Sequence, residues 1–251
     1  MNLAFVLLSD AKLPKGEDVE KAFATFAAKG QALHFRGKKA AKGGESLDLA
    51  LGADGYAIVM LMPAPVPNHE ADEAVRFSVS AFGGRWKLPA HKAHLVVTAS
   101  EQASSVEALS SFTSLVAAVA KASSAVGIYF GNAGATHDPK FFQEVARERD
   151  PKSRIVLWSG VSIAKEADGR LSLLSLGMKQ LSLPDVLLVM PAAKANDALG
   201  TLFDLMGYLV DQGKPLPEGD TFGRSATERI PVHYVPSPVD PKVKVWRVAL
   251  D

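Results

Sequence analysis

Histidines and carboxylates that stand close together in the chain are the first residues that could do chemistry. The segment "HEADE" (69–73) places one His and three carboxylates within five residues. A zinc protease of the His-Glu-x-x-His type needs a second His at the end of that motif, and this segment lacks it. Carboxylates in the first turn of a helix complement the helix dipole. We therefore predict a structural role for this segment.

A second histidine pair occurs in "HKAH" (91–94). On a helix this spacing would place both rings on one face, but His94 falls in a predicted strand, where positions i and i+3 point to opposite faces. The chain contains no Cys, which excludes thiol catalysis and thiolate metal sites. We predict no metal site, no cofactor and no catalytic residues.

Two glycine-containing segments could bind phosphate. The segment "FRGKKAAKGGE" (35–45) brings together glycines and the cations Arg36, Lys38, Lys39 and Lys42, and backbone amides beside cations can cradle a phosphate group. The segment "YFGNAGATHDP" (129–139) leaves a predicted strand and enters a predicted helix, but its spacing is Gly-x-x-Gly, unlike a dinucleotide-binding turn. Because solvated loops use the same residue types, we favour a loop interpretation and keep a phosphate site at 36–44 and 131–138 as the alternative.

The most distinctive short motif is "PEGDTFG" (217–223). Its Gly219, Asp220 and Gly223 predict tight turns. Asp220 and Thr221 could contact a ligand, but an Asp that hydrogen-bonds within its own turn explains the pattern equally well. We take Gly219, Asp220, Thr221 and Gly223 as a candidate site. No Gly-x-Ser-x-Gly nucleophile elbow occurs in the chain.

The overall charge and hydropathy limit the class of partner. Lys plus Arg is 28 and Asp plus Glu is 27, so the formal net charge is +1, which argues against nucleic-acid binding because that function usually needs a basic excess. No stretch approaches the ~20 apolar residues that cross a bilayer, and the N-terminal segment is a poor signal peptide. We predict a cytoplasmic protein that binds neither nucleic acid nor membrane.

Two stretches resemble each other and organise the chain. "VMLMPAPVPNHEADEA" (59–74) and "LLVMPAAKANDALGTL" (187–202) each run from an apolar segment through Met-Pro-Ala to an Asn. We predict that both apolar segments are strands ended by proline, which removes a ladder donor. Asn68 and Asn196 are the predicted N-caps of the helices that follow.

The other elements repeat in the same order. Apolar periodicity and turn signals predict a first strand in each half, at 3–9 and 93–99. A helix follows each one, with the apolar stripe Val19, Ala22, Phe23, Phe26, Ala27 in the first half and Val106, Leu109, Phe112, Val116, Val119 in the second. Two more strands follow in each half, at 32–37 and 46–51 in the first and at 125–131 and 171–176 in the second. Gly30 is the predicted C-cap of the first helix, and Ser104 with Glu107 fits a capping box at the start of the second.

The predicted fold is α+β or α/β, a tandem duplication of a βαββα-like unit. The first half spans 1–82, the connection 83–92 and the second half 93–251. An insertion at 138–163 adds a helix at 138–150, with Asp138 as cap and Pro139 at the first helical position, and a strand at 154–163. The tail is predicted to hold a turn at 217–220 and edge strands around 229–235 and 242–250.

Several short motifs resemble the bacterial domain-of-unknown-function family 4261, and the resemblance spans nearly the whole chain. They are "FVLLS" (5–9), "MPAPVP" (62–67), "HKAHLVV" (91–97), "GIYFG" (127–131), "LWSGV" (157–161) and above all "LPEGDTFG" (216–223). The resemblance implies no established activity. Families of small cytoplasmic bacterial proteins of this kind are suspected of acting as immunity proteins, which bind and neutralise a toxin.

The leading hypothesis is a non-catalytic protein-binding protein, an immunity protein against a toxin or effector, with Trp86, Trp158 and Trp246 as the aromatic residues that could anchor a partner. The alternative is an enzyme or binding protein for a small phosphorylated ligand at loops 36–44 and 131–138. A third possibility is single-stranded nucleic-acid binding through the aromatics of "GIYFG", which would have to stack on bases.

Overall fold

The fold is taken from a computed structural model, which describes residues 2–41, 44–100, 105–223 and 227–250. The chain divides into two compact units, Met1–Trp158 and Ser159–Asp251, here called unit 1 and unit 2. Helices and several sheets occur together, so the α+β class is confirmed. None of the helices in the described ranges has both the length and the apolar character that a membrane-spanning segment requires.

Unit 1 is built on a seven-stranded sheet in which every pair of neighbours is antiparallel. Its strands are β1 (Asn2–Leu8), β2 (Leu33–Ala41), β3 (Gly44–Leu51), β4 (Gly55–Met62), β5 (Ala93–Ser100), β6 (Ala125–Phe130) and β7 (Ala135–His137). Their order across the sheet is β2-β3-β4-β5-β1-β6-β7. The first strand of the chain therefore lies inside the sheet, between β5 and β6.

The helices of unit 1 are α1 (Gly16–Phe23), α2 (Glu70–Glu73), α3 (Ser105–Lys121), α4 (Pro139–Arg147) and α5 (Pro151–Trp158). Successive strand residues point to opposite faces of a sheet. On one face the Phe130 ring packs against Phe112 of α3 and Phe142 of α4, at centroid distances of 5.6 and 5.9 Å. On the other face Leu7 and Tyr129 form a buried cluster with residues of the segment 66–74.

A buried arginine joins α5 to α3, to the end of α4 and to Phe26, which follows α1. Only 1% of Arg154 is exposed, and its guanidinium uses all five N–H donors. Nε donates to the carbonyl of Glu148 at 2.7 Å. The terminal nitrogens donate to the carbonyls of Ser110, Phe26 and Ala146 at 2.8, 2.8 and 2.6 Å and to the Ser114 hydroxyl at 3.2 Å.

Unit 2 contains a five-stranded sheet, a two-stranded sheet and one long helix. The strands are β8 (Gly160–Lys165), β9 (Leu171–Leu176), β10 (Val186–Met190), β11 (Thr221–Phe222), β12 (Ile230–Pro231), β13 (His233–Pro236) and β14 (Lys244–Ala249), and the helix is α6 (Ala195–Gln212). The five-stranded order is β13-β14-β10-β9-β8, and β10 pairs with β14 in parallel. The buried side of α6 packs on β9 and β10.

The predicted duplication is not confirmed. The two strands that end in Met-Pro, β4 and β10, are each antiparallel to the strand before them, β3 and β9. However, they lie in different sheets. The second neighbour of β4 is the antiparallel strand β5, whereas the second neighbour of β10 is the parallel strand β14. The first strands of the two predicted halves, β1 and β5, pair directly with each other. The predicted halves 1–82 and 93–251 also differ from the two compact units, because unit 1 extends to Trp158 and contains the predicted connection 83–92.

The predicted strand at 154–163 is wrong in its first part. Residues 151–158 form α5, and the strand begins only at Gly160. Packing explains the difference, because Arg154, Ile155, Leu157 and Trp158 are all buried and the helix carries Arg154 to its carbonyl acceptors. The helix predicted at 138–150 is confirmed as α4, in which Asp138 caps the first turn by accepting from the Lys140 amide at 3.1 Å.

Three predicted caps differ from the structure. Asn68 has a left-handed backbone (φ 57°) within the turn Pro67–His69, and His69 precedes α2. Asn196 lies inside α6, and Lys194 is the residue at its N-cap. Helix α1 ends at Phe23, so Gly30 belongs to a later turn. Ser104 of the predicted capping box lies outside the described residues.

The two remaining corrections concern strands. The predicted loop at 36–44 is largely strand, because β2 extends to Ala41; Lys42 and Gly43 lie outside the described residues. The last strand, β14, is not at an edge: it lies between β13 and β10 and buries Val245, Trp246 and Val248. The edge position of β13 agrees with the prediction.

We expect Arg154→Met to destabilise unit 1 by at least about 3 kcal/mol, because removal of the guanidinium leaves several buried acceptors without a donor. Urea unfolding followed by circular dichroism measures the change. Arg154→Lys keeps the charge but cannot reproduce the fork of donors, so it should restore only part of the loss. Exposed Arg85→Met is the control, and equal stability of the Arg154 and Arg85 variants would contradict the role of the buried guanidinium.

Candidate functional site

The two predicted phosphate loops cannot form one site. Residues 36–41 belong to β2 and residues 135–137 to β7, which lie at opposite edges of the seven-stranded sheet. With neighbouring strands about 4.8 Å apart, the edges are roughly 29 Å from each other. In addition, Lys38 and Lys39 form ion pairs with Glu45 and Asp48, each at 2.6 Å. The prediction that loops 36–44 and 131–138 share a ligand is wrong.

The C-terminal part of the second predicted phosphate loop, 131–138, is buried. Thr136 donates from its hydroxyl to the Ala71 carbonyl at 2.6 Å, and its exposed fraction is 0%. The aromatic residues of "GIYFG" are also buried, with exposed fractions of 6% for Tyr129 and 1% for Phe130. They cannot stack on bases, so the third possibility, single-stranded nucleic-acid binding through these aromatics, is wrong.

A serine and a histidine meet at this end of the sheet. Ser78 Oγ lies 2.8 Å from His137 Nδ1, which is the separation of a nucleophile from its base. Ser78 Oγ also lies 2.8 Å from Ser80 Oγ, which accepts from the Asp138 amide at 3.1 Å. Ser78 and His137 both have an exposed fraction of 0%, so no substrate can reach them in this conformation. The cluster instead attaches the segment 78–80 to β7.

Burial also sets the protonation of this histidine. Desolvation is the main cause that lowers the pKa of His137 to about 4, and the backbone of Leu157 acts in the opposite direction and raises it. The ring is therefore neutral at pH 7. No sequence signal pointed to the Ser78–His137 pair, because the two residues are separated by 59 positions and meet only through the tertiary fold.

The clustered histidines and carboxylates of the sequence do not form a metal site. His69 is 87% exposed and lies 3.8 Å from Asp72, while His94 is buried and its Nδ1 lies 2.8 Å from the Ala64 carbonyl. Burial lowers the pKa of His94. Glu70 accepts a hydrogen bond from the Tyr129 hydroxyl at 2.6 Å. Across the ranges that the structure describes, no group of three or more His, Asp or Glu side chains could hold a metal ion.

The candidate motif 217–223 forms a hairpin of unit 2. Gly219 has a left-handed backbone (φ 85°) and its amide donates to the Val232 carbonyl. The Val232 amide donates in return to the Asp220 carbonyl at 2.7 Å. Thr221 and Phe222 pair with Pro231 and Ile230. Gly219, Asp220, Thr221 and Gly223 are exposed.

Two side chains fasten this hairpin. Glu218 accepts from the Tyr234 amide at 2.8 Å and lies 2.9 Å from His233 Nδ1; these contacts lower the pKa of Glu218, with the His233 hydrogen bond as the largest cause. Phe222 is buried against the rings of Tyr208 and Trp246, at centroid distances of 4.7 and 5.5 Å. The motif therefore has a structural role in unit 2.

The tryptophans divide into two groups. Trp158 and Trp246 have exposed fractions of 0%, and Trp158 donates to the Thr113 hydroxyl at 2.8 Å, so the prediction that they could anchor a partner is wrong. Trp86 is half-buried. It lines a shallow depression of about 510 Å³ with Asp72, Glu73, Arg76, Lys87 and Leu88, which we call the Trp86 surface.

We expect Phe222→Ala to destabilise unit 2 by about 3–5 kcal/mol, because it removes a buried ring. Thr221→Ala should change stability by no more than about 0.5 kcal/mol, because the side chain is exposed. Thermal unfolding of both variants checks this difference. A large loss in Thr221→Ala would mean that the polar half of the motif also has a structural function.

We expect the stability of the protein to fall between about pH 6.5 and pH 4, because the unfolded state binds a proton at His137 in this range and the folded state does not. The loss from this residue is about 3 kcal/mol at the acid end. His137→Gln should be less stable at neutral pH and should show a flatter pH dependence in urea unfolding. His69→Gln, which alters an exposed ring, should keep the slope of the wild type; an unchanged slope in His137→Gln would contradict the assignment.

The comparisons with known proteins concern the C-terminal part of the chain. Neither the search of curated proteins nor the search of solved structures found a match. The model of the family DUF4261, a domain of unknown function, matches residues 174–249. Of the motifs that carry the resemblance, only "LPEGDTFG" (216–223) lies within this match. The predicted resemblance to this family is thus confirmed for residues 174–249.

Proposed function

We propose that this is a non-catalytic protein-binding protein that acts as an immunity protein, binding and neutralising a toxin or effector. The observation that supports binding is the half-buried Trp86 in a surface depression beside Arg76. Trp and Arg are the residue types that most often dominate the energy of protein interfaces, and they do so where neighbouring groups exclude water.

The Trp86 surface is held on a rigid base. Ala71 and Ala74, on the inner side of the segment 70–77, are buried against Leu7 and Tyr129 of the sheet, and Leu88 packs on the same cluster. The hydrogen bonds from Thr136 to the Ala71 carbonyl and from Tyr129 to Glu70, both 2.6 Å long, fasten the segment further. A surface that is already ordered loses little conformational entropy when it binds.

Its charges favour a partner of mixed polarity. The Arg76 guanidinium lies 4.7 Å from the centroid of the Phe77 ring, a cation–π contact that restricts the side chain. Lys87 lines the same depression, and Asp72 and Glu73 contribute carboxylates. A protein surface with an apolar centre and charges of both signs at its rim would complement this arrangement.

The immunity role itself is supported by the family resemblance and not by the geometry. An immunity protein needs a stable surface for its toxin and no reaction of its own. A cytoplasmic location in a bacterium, as the resemblance implies, would place the protein where an incoming toxin acts.

We expect the protein to co-purify with the product of an adjacent toxin gene and to protect cells that express that toxin. Trp86→Ala and Arg76→Ala should each weaken the complex by about 30-fold or more, the loss of a hot-spot residue. Tyr56→Ala is the matched control, because it removes an aromatic ring that is 47% exposed elsewhere in unit 1. Binding measured by biolayer interferometry separates the variants.

Two outcomes would contradict the proposal. Absence of both co-purification and protection would exclude the immunity role for that toxin. A partner whose affinity falls equally in the Trp86 and Tyr56 variants would show that the docking surface lies elsewhere.

A further inference from the structure

A groove runs along α1 and the end of α3 in unit 1. It consists of two adjoining depressions, of about 270 and 390 Å³, which share Asp18 and Ala122. The first extends to the loop 10–15 and to Ser123 and Ser124, and the second extends to Lys21 and Lys121. Sites for small molecules typically have volumes of roughly 300–1,000 Å³, so the groove has a suitable size.

The walls of the groove are fixed by backbone contacts. The Ser9 amide donates to the Ser124 carbonyl at 3.0 Å, and the Asp10 amide donates to the Ser124 hydroxyl at 3.4 Å. The Lys12 amide donates to the Asp10 carbonyl at 2.8 Å. Leu13 and Pro14 of this loop are buried. The groove is therefore formed before any ligand is present.

Cations without carboxylate partners surround the groove. Its lining includes the lysines Lys12, Lys15, Lys21 and Lys121 and the aspartates Asp10 and Asp18. Of the contacts that the described ranges contain, none pairs Lys12, Lys15 or Lys21 with a carboxylate, and Lys121 Nζ donates to the Thr25 hydroxyl at 3.2 Å. On β2, by contrast, Lys38 and Lys39 each have a carboxylate partner at 2.6 Å.

From this arrangement we infer that the groove binds a small phosphate ester that also carries hydroxyl groups, such as a sugar phosphate. The lysine ammonium groups are compact donors that attract phosphate oxygens. Asp10 and Asp18 would repel a simple anion, but ionised carboxylates accept hydrogen bonds from hydroxyl groups. A ligand with both kinds of group therefore uses both signs of charge in the groove.

This site differs from the Trp86 surface and from the predicted phosphate loops. None of its lining residues belongs to the Trp86 surface, so the inference can fail without affecting the proposed protein-binding function. It also differs from loops 36–44 and 131–138, because it uses the chain after β1 and after α3.

Isothermal titration calorimetry with glucose 6-phosphate, inorganic phosphate and glucose tests the inference at constant ionic strength. We expect saturable binding of the phosphate ester that is tighter than binding of either other probe. Lys12→Gln with Lys15→Gln should weaken it at least about tenfold, since each lysine supplies a charge-assisted hydrogen bond. Asp18→Asn should reduce the preference for the ester over inorganic phosphate.

The matched control is Lys214→Gln with Lys242→Gln, which makes the same change of charge at exposed lysines of unit 2 and should alter affinity by less than about twofold. Unchanged thermal unfolding would show that the variants are folded. The inference is overturned if glucose 6-phosphate shows no saturable binding, if the control pair loses as much affinity as the groove pair, or if inorganic phosphate binds as tightly as the ester.

Discussion

The buried guanidinium of Arg154 is the interaction on which the helical layer of unit 1 depends. It has no carboxylate among its hydrogen-bond partners; four main-chain carbonyls and one hydroxyl take its donors instead. Burial, followed by the nearby charge of Arg149, lowers its pKa to about 10, so the group remains charged at neutral pH. A charge in this position is tolerated because every N–H finds an acceptor.

The acceptors explain why an arginine occupies this position. Ala146 and Glu148 lie at the end of α4, where the last carbonyls of a helix have no internal partner and carry partial negative charge. Phe26 lies just after α1, and Ser110 belongs to α3. One planar side chain thus satisfies carbonyls from three separate segments and fixes them relative to α5. A lysine has fewer donors and a different geometry.

The opposite side of the seven-stranded sheet is organised by a different kind of contact. There the segment 66–88 is attached by small buried apolar residues and by single hydrogen bonds from threonine and tyrosine side chains. At the edge strand β7 the same segment also contacts His137 through Ser78. These contacts leave the outer side of the segment free to carry Trp86 and its charged neighbours. The Ser78–His137 pair has the separation of a catalytic pair, and its complete burial distinguishes it from one.

Local patterns predicted the elements but not their arrangement. The strands at 3–9 and 93–99, the apolar stripes of α1 and α3 and the Asp138 cap follow from short-range periodicity and capping chemistry. The helical state of α5 could not be predicted, because it depends on partners of Arg154 up to 128 residues away in the chain. The same limit applies to the site: Trp86 was among the named aromatics, but only the fold shows that Trp158 and Trp246 are buried.

The central position of β1 affects the order in which unit 1 can assemble. Both partners of this strand, β5 and β6, lie far downstream, and residue pairs such as Ala4–Phe130 close very long loops. During synthesis an apolar strand with two open edges must wait until the ribosome has produced most of unit 1. Sheets with such distant pairings fold slowly and expose surfaces that aggregate. Until β6 emerges, one edge of β1 therefore stays unpaired.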